Sequence, residues 1–258
     1  MFHKIVSFFC FIIKSKNEHG VHSPFVFDLI TSCFYKTKSK NDLTIFLNYK
    51  KELSKNNSLS EISNFNFMSN FLLSHKRKRS RIFKDSEISN KRARLLIHLI
   101  QYLKPKNILE IGTGFGINTV ILSSAQRNSK ITTLDENEQT VNVIKEMFKK
   151  NTFKHVKFLT GNFDITLPQV FNNNIYDFIY FKGSCENKTT LNYFESSLSS
   201  IHNNSVLLFE NIHSNRESEK VWNSIKKHEK VTVTIDTFLW GFVFFRKEQE
   251  KEHFIIRI

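Results

Sequence analysis

Cysteine is nearly absent from this chain, with three thiols in 258 residues at Cys10, Cys33 and Cys185. Their scattered spacing matches no metal-ligand or redox motif and excludes a disulfide scaffold, so they read as reduced thiols in a cytoplasmic protein. Long apolar runs are lacking too. The run at residues 5–13 falls far short of the ~20 residues a spanning helix needs, which excludes a membrane span. No small-residue cleavage site follows it, only Lys14, Ser15, Lys16 and Asn17, so it is not read as a signal-peptide core. The expectation is an N-terminal helix docked on the protein, with membrane-surface contact as the alternative. Alanine occurs only at Ala93 and Ala125, and glycine only seven times.

Acidic side chains are also few, 24 against 38 Lys and Arg, for a net charge of +14. Such a balance suggests an anionic partner. Lys (29), Asn (26) and Phe (27), however, all have A/T-rich codons, so nucleotide bias accounts for much of the excess. The charge is uneven. Residues 1–100 hold 18 basic and 7 acidic side chains, residues 101–258 hold 20 and 17. With 40% hydrophobic residues a substantial core is available, and wholesale disorder is excluded.

Along the chain, Ser23-Pro24 is a helix start, Ser as N-cap and Pro in the first turn, and the helix is expected to reach about Tyr35. Residues 36–64 are polar, broken only by a short apolar stretch at residues 43–47, and read as a mobile or loosely helical connector. Residues 64–73 are Phe-rich and offer a dimer contact. The basic run at 75–81 (HKRKRSR) reads as solvated charge, with a nucleic-acid patch as the sharper alternative. Ser89 or Asn90 caps a helix carrying Leu96, Leu99, Ile100 and Leu103, closed by Pro105.

From Asn107 onward short apolar strands alternate with amphipathic helices, the last of them opened by a capping box at Ser214 and Glu217. That alternation predicts an α/β fold with a Rossmann-like parallel sheet covered by helices on both faces. Residues 231–235 and 240–245 are separated by too few residues for a crossover helix, so they are expected to form an antiparallel hairpin at the end of the sheet. The domain division expected is an N-terminal helical segment over 1–90 and a cofactor-binding domain over 91–258.

Three of the seven glycines, Gly112, Gly114 and Gly116, fall in ILEIGTGFGINT, between the first strand and a helix opening near Ile117. Glycine there allows a tight turn and close approach of backbone N–H groups to a ligand. The spacing is G-x-G-x-G rather than the dinucleotide G-x-G-x-x-G. Glu110 would repel a pyrophosphate but suits the ammonium of an amino acid, and Asp135 ends the second strand, where an acid accepts ribose hydroxyls. A ribose, a cationic amine and no phosphate describe S-adenosylmethionine.

These stretches, with ITTLDENE, GNFDITLPQ and YDFIYFKG, resemble class I S-adenosylmethionine-dependent methyltransferases, closest to bacterial O-methyltransferases of the catechol O-methyltransferase-like group. HGVHSPF (residues 19–25) and the tail from Trp240 also resemble a branch of that group. The resemblance implies a seven-stranded sheet ending in the hairpin, S-adenosylmethionine as cofactor, and Gly112, Thr113, Gly114 and Gly116 along its methionine part. Glu110 would lie beneath them, Asp135 at the ribose, and Gly161, Asn162 and Phe163 beside the adenine, with Asp164 as an alternative contact.

Metal-dependent relatives carry Asp at the end of the fourth strand and Asp-Asn at the end of the fifth. This chain has Lys182 and Glu210-Asn211, so metal binding in the family's manner is not expected. Lys182 is instead expected to pair with Glu210 and polarise the acceptor, or to act as base. His213 is a second base candidate, or else a cap on the following helix, and His19 and His22 read as packing rather than as metal ligands. The expectation is O-methylation of a small molecule. An RNA methyltransferase using the basic N-terminal segment and a degenerate cofactor-binding homologue stand as alternatives.

Overall fold

The computed structural model describes residues 2–37, 43–56, 88–151, 153, 155–172, 174–182 and 188–258. The Phe-rich stretch 64–73, the basic run 75–81, Gly183 and Cys185 lie outside the described residues. Helix α1 (Phe2–Lys14) is followed by a 3-10 turn (Glu18–Gly20) and α2 (Pro24–Leu29). Ser23 caps α2 by accepting the Val26 N–H at 3.4 Å, and the helix continues as a π turn (Ile30–Phe34) ending at Tyr35.

The polar connector expected after it is instead partly a packed helix, α3 (Thr44–Lys55). Phe46, Tyr49 and Leu53 recur at i, i+3 and i+7 and are all buried. Each apolar side chain buried in this way contributes about 1.5–3 kcal/mol, which offsets the ordering of an otherwise polar segment. Helix α4 (Asn90–Leu103) is capped by Ser89 and ends at Lys104, whose left-handed φ of 47° turns the chain into Pro105.

The alternating region then forms β1 (Asn107–Ile111), α5 (Ile117–Ala125), β2 (Lys130–Asp135), α6 (Glu138–Lys150), β3 (Val156–Thr160), α7 (Phe163–Asn172) and β4 (Phe178–Phe181). It continues through α8 (Lys188–Ser197), β5 (Val206–Glu210), α9 (Arg216–Lys227), β6 (Val233–Asp236), β7 (Trp240–Phe244) and β8 (Glu252–Ile255). The sheet order is β3-β2-β1-β4-β5-β7-β6-β8. The first five strands are parallel and β7 is antiparallel to both β5 and β6, which is the expected hairpin ending.

Two details differ from the sequence reading. An eighth strand, β8, pairs parallel with β6; its Glu252 and His253 are exposed and it carries little apolar signal. The cap of α9 is Asn215, whose Oδ1 accepts the Ser218 N–H at 2.9 Å, rather than Ser214, whose hydroxyl shares a bond with the Ser218 hydroxyl.

The side-chain period of two splits the central strands between two cores. Ile108, Phe178, Tyr180 and Leu208 face one cluster with α2–α5, whereas Leu109, Ile179, Phe181 and Phe209 face another with α7 and α9. The helices before residue 90 share the first cluster through Val26, Leu29, Phe34, Phe46 and Tyr49. Backbone pairing ties them further, since Lys16 N–H donates to Ile255 O at 2.8 Å and Arg257 N–H donates to Lys16 O at 3.1 Å. No helix among the described residues is long and apolar enough to cross a membrane.

Candidate active site

Sheet order reverses between β1 and β4, and in open α/β sheets the crevice outside the strand ends at such a point is where ligands bind. The glycine loop leaves β1 on one side of this point, and Lys182 follows β4 on the other. The loop is pinned to the end of β2 by Gly112 N–H to Leu134 O at 2.8 Å and Gly114 N–H to Asp135 Oδ2 at 2.8 Å. Gly112 and Gly114 have φ of 97° and 51°, and a Cβ on either would lie within 3 Å of Lys182, at its carbonyl oxygen and its Nζ respectively. Both positions therefore need glycine for conformation, and Gly112 also for space, since its neighbour is backbone.

Glu110 lies beneath the loop with no exposed surface. Its Oε2 accepts from Thr119 Oγ1 at 2.5 Å and Thr133 Oγ1 at 2.7 Å. Thr113 Oγ1 lies 2.6 Å from Thr133 Oγ1, so with the Thr133 proton given to Glu110 the chain runs Thr113 to Thr133 to Glu110. Glu110 Oε1 is buried and has no hydrogen-bond partner among the described residues. Burial pushes the Glu110 carboxyl up to about 7, against the opposing pull of Lys182 and the two threonines.

Lys182 does not pair with Glu210. Its Nζ donates to Thr113 O at 3.0 Å, and its charge acts on Glu110. Glu210, also buried, accepts from the Tyr180 hydroxyl and from Trp240 Nε1, the former strand residue lying on β4 and the latter opposite it on β7. Burial first, then the Glu210 charge, raise the Tyr180 hydroxyl well above its ordinary value, so it stays a donor. Asn211 takes a left-handed φ of 56°, and its N–H donates to Leu239 O.

His213 is held between two carboxylates, Nδ1 at 2.8 Å from Glu219 and Nε2 at 2.7 Å from Asp236, with its ring stacked on Phe238. Burial opposes its charge, but the bonds and charges of Asp236 and Glu219 outweigh that and raise its pKa. The ring is thus a double donor with no free nitrogen, which is the geometry of a fixed cation rather than of a base.

At the far wall Asn162 Oδ1 accepts the Asp164 N–H, and the Phe163 N–H donates to Glu136 Oε1 at 3.0 Å. Asp135 and Asn162 are brought to neighbouring strand ends by the parallel β2–β3 register. His19 and His22 face solvent, whereas Val21, Ser23 and Val26 of the same box are buried. Among the described residues no group of three or more His, Cys, Asp or Glu is placed to hold a metal ion.

Several site residues were not singled out from sequence. Thr133 and Thr119 fix Glu110, Tyr49 on α3 donates its hydroxyl to Phe115 O in the glycine loop at 3.0 Å, and Glu136 joins β2 to the start of α7. Only Thr133 had a usable signal, since it lies opposite Glu110 once β1 and β2 are paired in register.

A family model described as O-methyltransferase matches residues 67–239, about two thirds of the chain. No curated relative matches the sequence. Among solved structures, the SAH-bound methyltransferase PaMTH1 of Podospora anserina is similar at a TM-score of 0.57 and 16% identity, over 74% of this chain and 97% of that one. The O-methyltransferase of Bacillus cereus in complex with SAH is similar at 0.53 and 18%, over 73% and 91%. TomG of Streptomyces achromogenes, an O-methyltransferase involved in tomaymycin synthesis and solved with SAM, is similar at 0.54 and 16%, over 71% and 96%. At such identities these likenesses establish the fold.

Proposed function

The chain belongs to the O-methyltransferase family, and on that premise we propose that it moves a methyl group from S-adenosylmethionine, the family's cofactor, to a hydroxyl oxygen of a small molecule, with the Lys182 ammonium in the place of a divalent cation. The observation that carries this reading is the position of Lys182, at the end of β4 with its Nζ 3.0 Å from the Thr113 carbonyl.

The residues present fit the cofactor. Glu110 keeps a buried oxygen without a partner among the described residues, and an orphaned acceptor of that kind suits an ammonium group. Gly112, Thr113, Gly114 and Gly116 would run along the methionine part, Asp135 would accept the ribose hydroxyls, and Asn162 and Phe163 would lie against the adenine. In this reading residues 91–258 supply the cofactor contacts and residues 1–90 form the appendage. When bound, the cofactor supplies a methyl group on positively charged sulfur.

Lys182 carries three N–H donors, one of which goes to Thr113. The remaining donors hold the acceptor oxygen and favour its anionic form, so that its proton passes to water. His213, with both ring nitrogens engaged, takes no proton and acts as a fixed positive charge behind the β5 turn. Glu210 and Asn211 are positioning residues, Glu210 through Tyr180 and Trp240. Holding the two reactants in line supplies much of the acceleration in a displacement of this kind.

Radiolabelled methyl transfer over pools of small hydroxylated compounds and of RNA, with and without EDTA, tests the proposal. Transfer to a small-molecule pool that is indifferent to EDTA and lost in Lys182→Met is the expected result. Loss of activity in EDTA overturns the role given to Lys182. Transfer to RNA alone moves the acceptor to nucleic acid, and cofactor binding without transfer to either pool marks a degenerate homologue.

A further inference from the structure

The glycine loop needs support from outside itself. Gly112, Gly114 and Gly116 all take positive φ, at 97°, 51° and 70°, and glycine loses more conformational freedom on ordering than any other residue. Its first half is bonded to the end of β2 through the N–H groups of Gly112, Thr113 and Gly114. Lys182 Nζ then holds the Thr113 carbonyl, on which the Gly116 N–H also closes at 3.0 Å. The second half is gripped from a helix 66 residues earlier in the chain, where Tyr49 Oη donates to Phe115 O at 3.0 Å.

The geometry of that grip is tight. Tyr49 is 3% exposed, and its ring meets the Phe148 ring edge-on at 5.7 Å. A Cβ on Gly116, the residue that precedes α5, would lie 2.8 Å from the Tyr49 oxygen and 2.7 Å from Ile144 Cγ2. Helices α3 and α6 therefore both press on the loop at one point. Burial first, then the charges of Glu52 and Glu110, raise the Tyr49 hydroxyl above its ordinary value, so it remains a donor. Tyr49 also lies outside residues 67–239, the stretch shared with the family. A loop that receives its ligand in one form binds it more weakly by the fraction of time spent in others. A bond that favours the receiving form raises affinity without touching the ligand.

We propose, resting on the cofactor assignment made above, that Tyr49 is a positioning residue for the cofactor loop: its hydroxyl holds the Phe115 carbonyl and keeps the loop in the form that receives S-adenosylmethionine, which makes α3 part of the site. Calorimetry of the full chain with SAH, parent against Tyr49→Phe, tests this at a temperature well below both melting points. Phenylalanine keeps the ring against Phe148 and removes the hydroxyl alone. The dissociation constant is expected to rise about fivefold, the worth of one net hydrogen bond. Tyr35→Phe is the control, since it deletes a bond of the same kind at the C-terminal tail, Tyr35 Oη to Arg257 O at 2.9 Å, and its affinity should match the parent. Hydrogen exchange on the parent needs no substitution: coupling is reciprocal, so bound SAH should slow exchange over residues 44–55 more than over residues 2–14. Equal affinity of Tyr49→Phe and parent overturns the proposal, as does an equal loss in Tyr35→Phe, or exchange over residues 44–55 that ignores the ligand. A parent chain that does not bind SAH overturns the cofactor assignment itself, and the proposal with it, before any variant is compared.

Discussion

Glu110→Gln removes a charge from a site closed to water, and the consequence can be worked through. Burial pushes the Glu110 carboxyl from 4.5 to about 7. Between those values the folded protein holds a proton that the unfolded chain has released, so stability falls as pH rises from about 4.5 to 7 and stays low above that. The gap of roughly 2.5 units corresponds to about 3 kcal/mol at pH 8. Glutamine keeps an oxygen for Thr119 and Thr133 but buries an amide NH2 where Oε1 has no partner among the described residues, at a cost of about 1 kcal/mol at every pH. The cofactor-free variant is therefore expected to be ~2 kcal/mol more stable than the parent at pH 8, close to 4 °C in Tm for a chain of this size. Near pH 4.5 it is expected to be ~1 kcal/mol less stable. Urea unfolding followed by tryptophan fluorescence at pH 5, 6, 7 and 8 reads the difference directly. Parallel curves with a constant offset would refute the reasoning, because the carboxyl would then titrate alike in both states. Cofactor affinity moves the opposite way, since the variant lacks the carboxylate proposed to receive the ammonium.

Asp135→Asn retains an oxygen for the Gly114 N–H and is expected to weaken cofactor binding at least tenfold in calorimetry; unchanged affinity would place the ribose elsewhere. For His213 the folded pKa is raised, so its contribution is complete below the ordinary value of 6.5 and is lost as pH rises through the folded value. Urea midpoints at pH 6 and pH 9 should therefore show the parent losing more stability across that window than His213→Asn, which keeps only the loss due to Glu110; equal slopes would refute the double-donor assignment. Gly241→Ala places a Cβ 2.7 Å from the Trp222 ring and should cost about 1–3 kcal/mol in thermal unfolding, whereas a neutral result would mean that the ring has room to move.

Much of the sheet was legible in the sequence because its strands are short continuous apolar runs, and β1, β4, β5 and β7 are buried along nearly their whole length. The glycine loop was legible because glycine is so scarce elsewhere that three in five residues stand out. What escaped depended on partners distant in sequence. Helix α3 buries only three of its apolar side chains, in a polar stretch, and becomes a helix because α5 and the core receive them. Strand β8 has too little apolar signal to announce itself and is defined by the β6 edge it completes. The roles of Lys182 and Glu210 were read from adjacent strand ends, yet Glu210 is drawn to Tyr180 and Trp240 and Lys182 to the glycine loop. Periodicity places a side chain on a face; it does not say which neighbour there offers the better bond.

The pairing of Lys16 with Ile255 and Arg257 joins positions about 240 residues apart. At ~5–20 residues per second, synthesis reaches those partners about 10–50 s after Lys16 is made. Throughout that interval the early helices can rest on the growing sheet by side-chain contact alone, and β6 lacks its outer neighbour. The final strand thus acts as a clasp on the order of events: the N-terminal segment is secured last although it is made first. Premature termination before Glu252 would leave the cofactor loop complete while removing the backbone bonds that fasten Lys16 at the sheet edge.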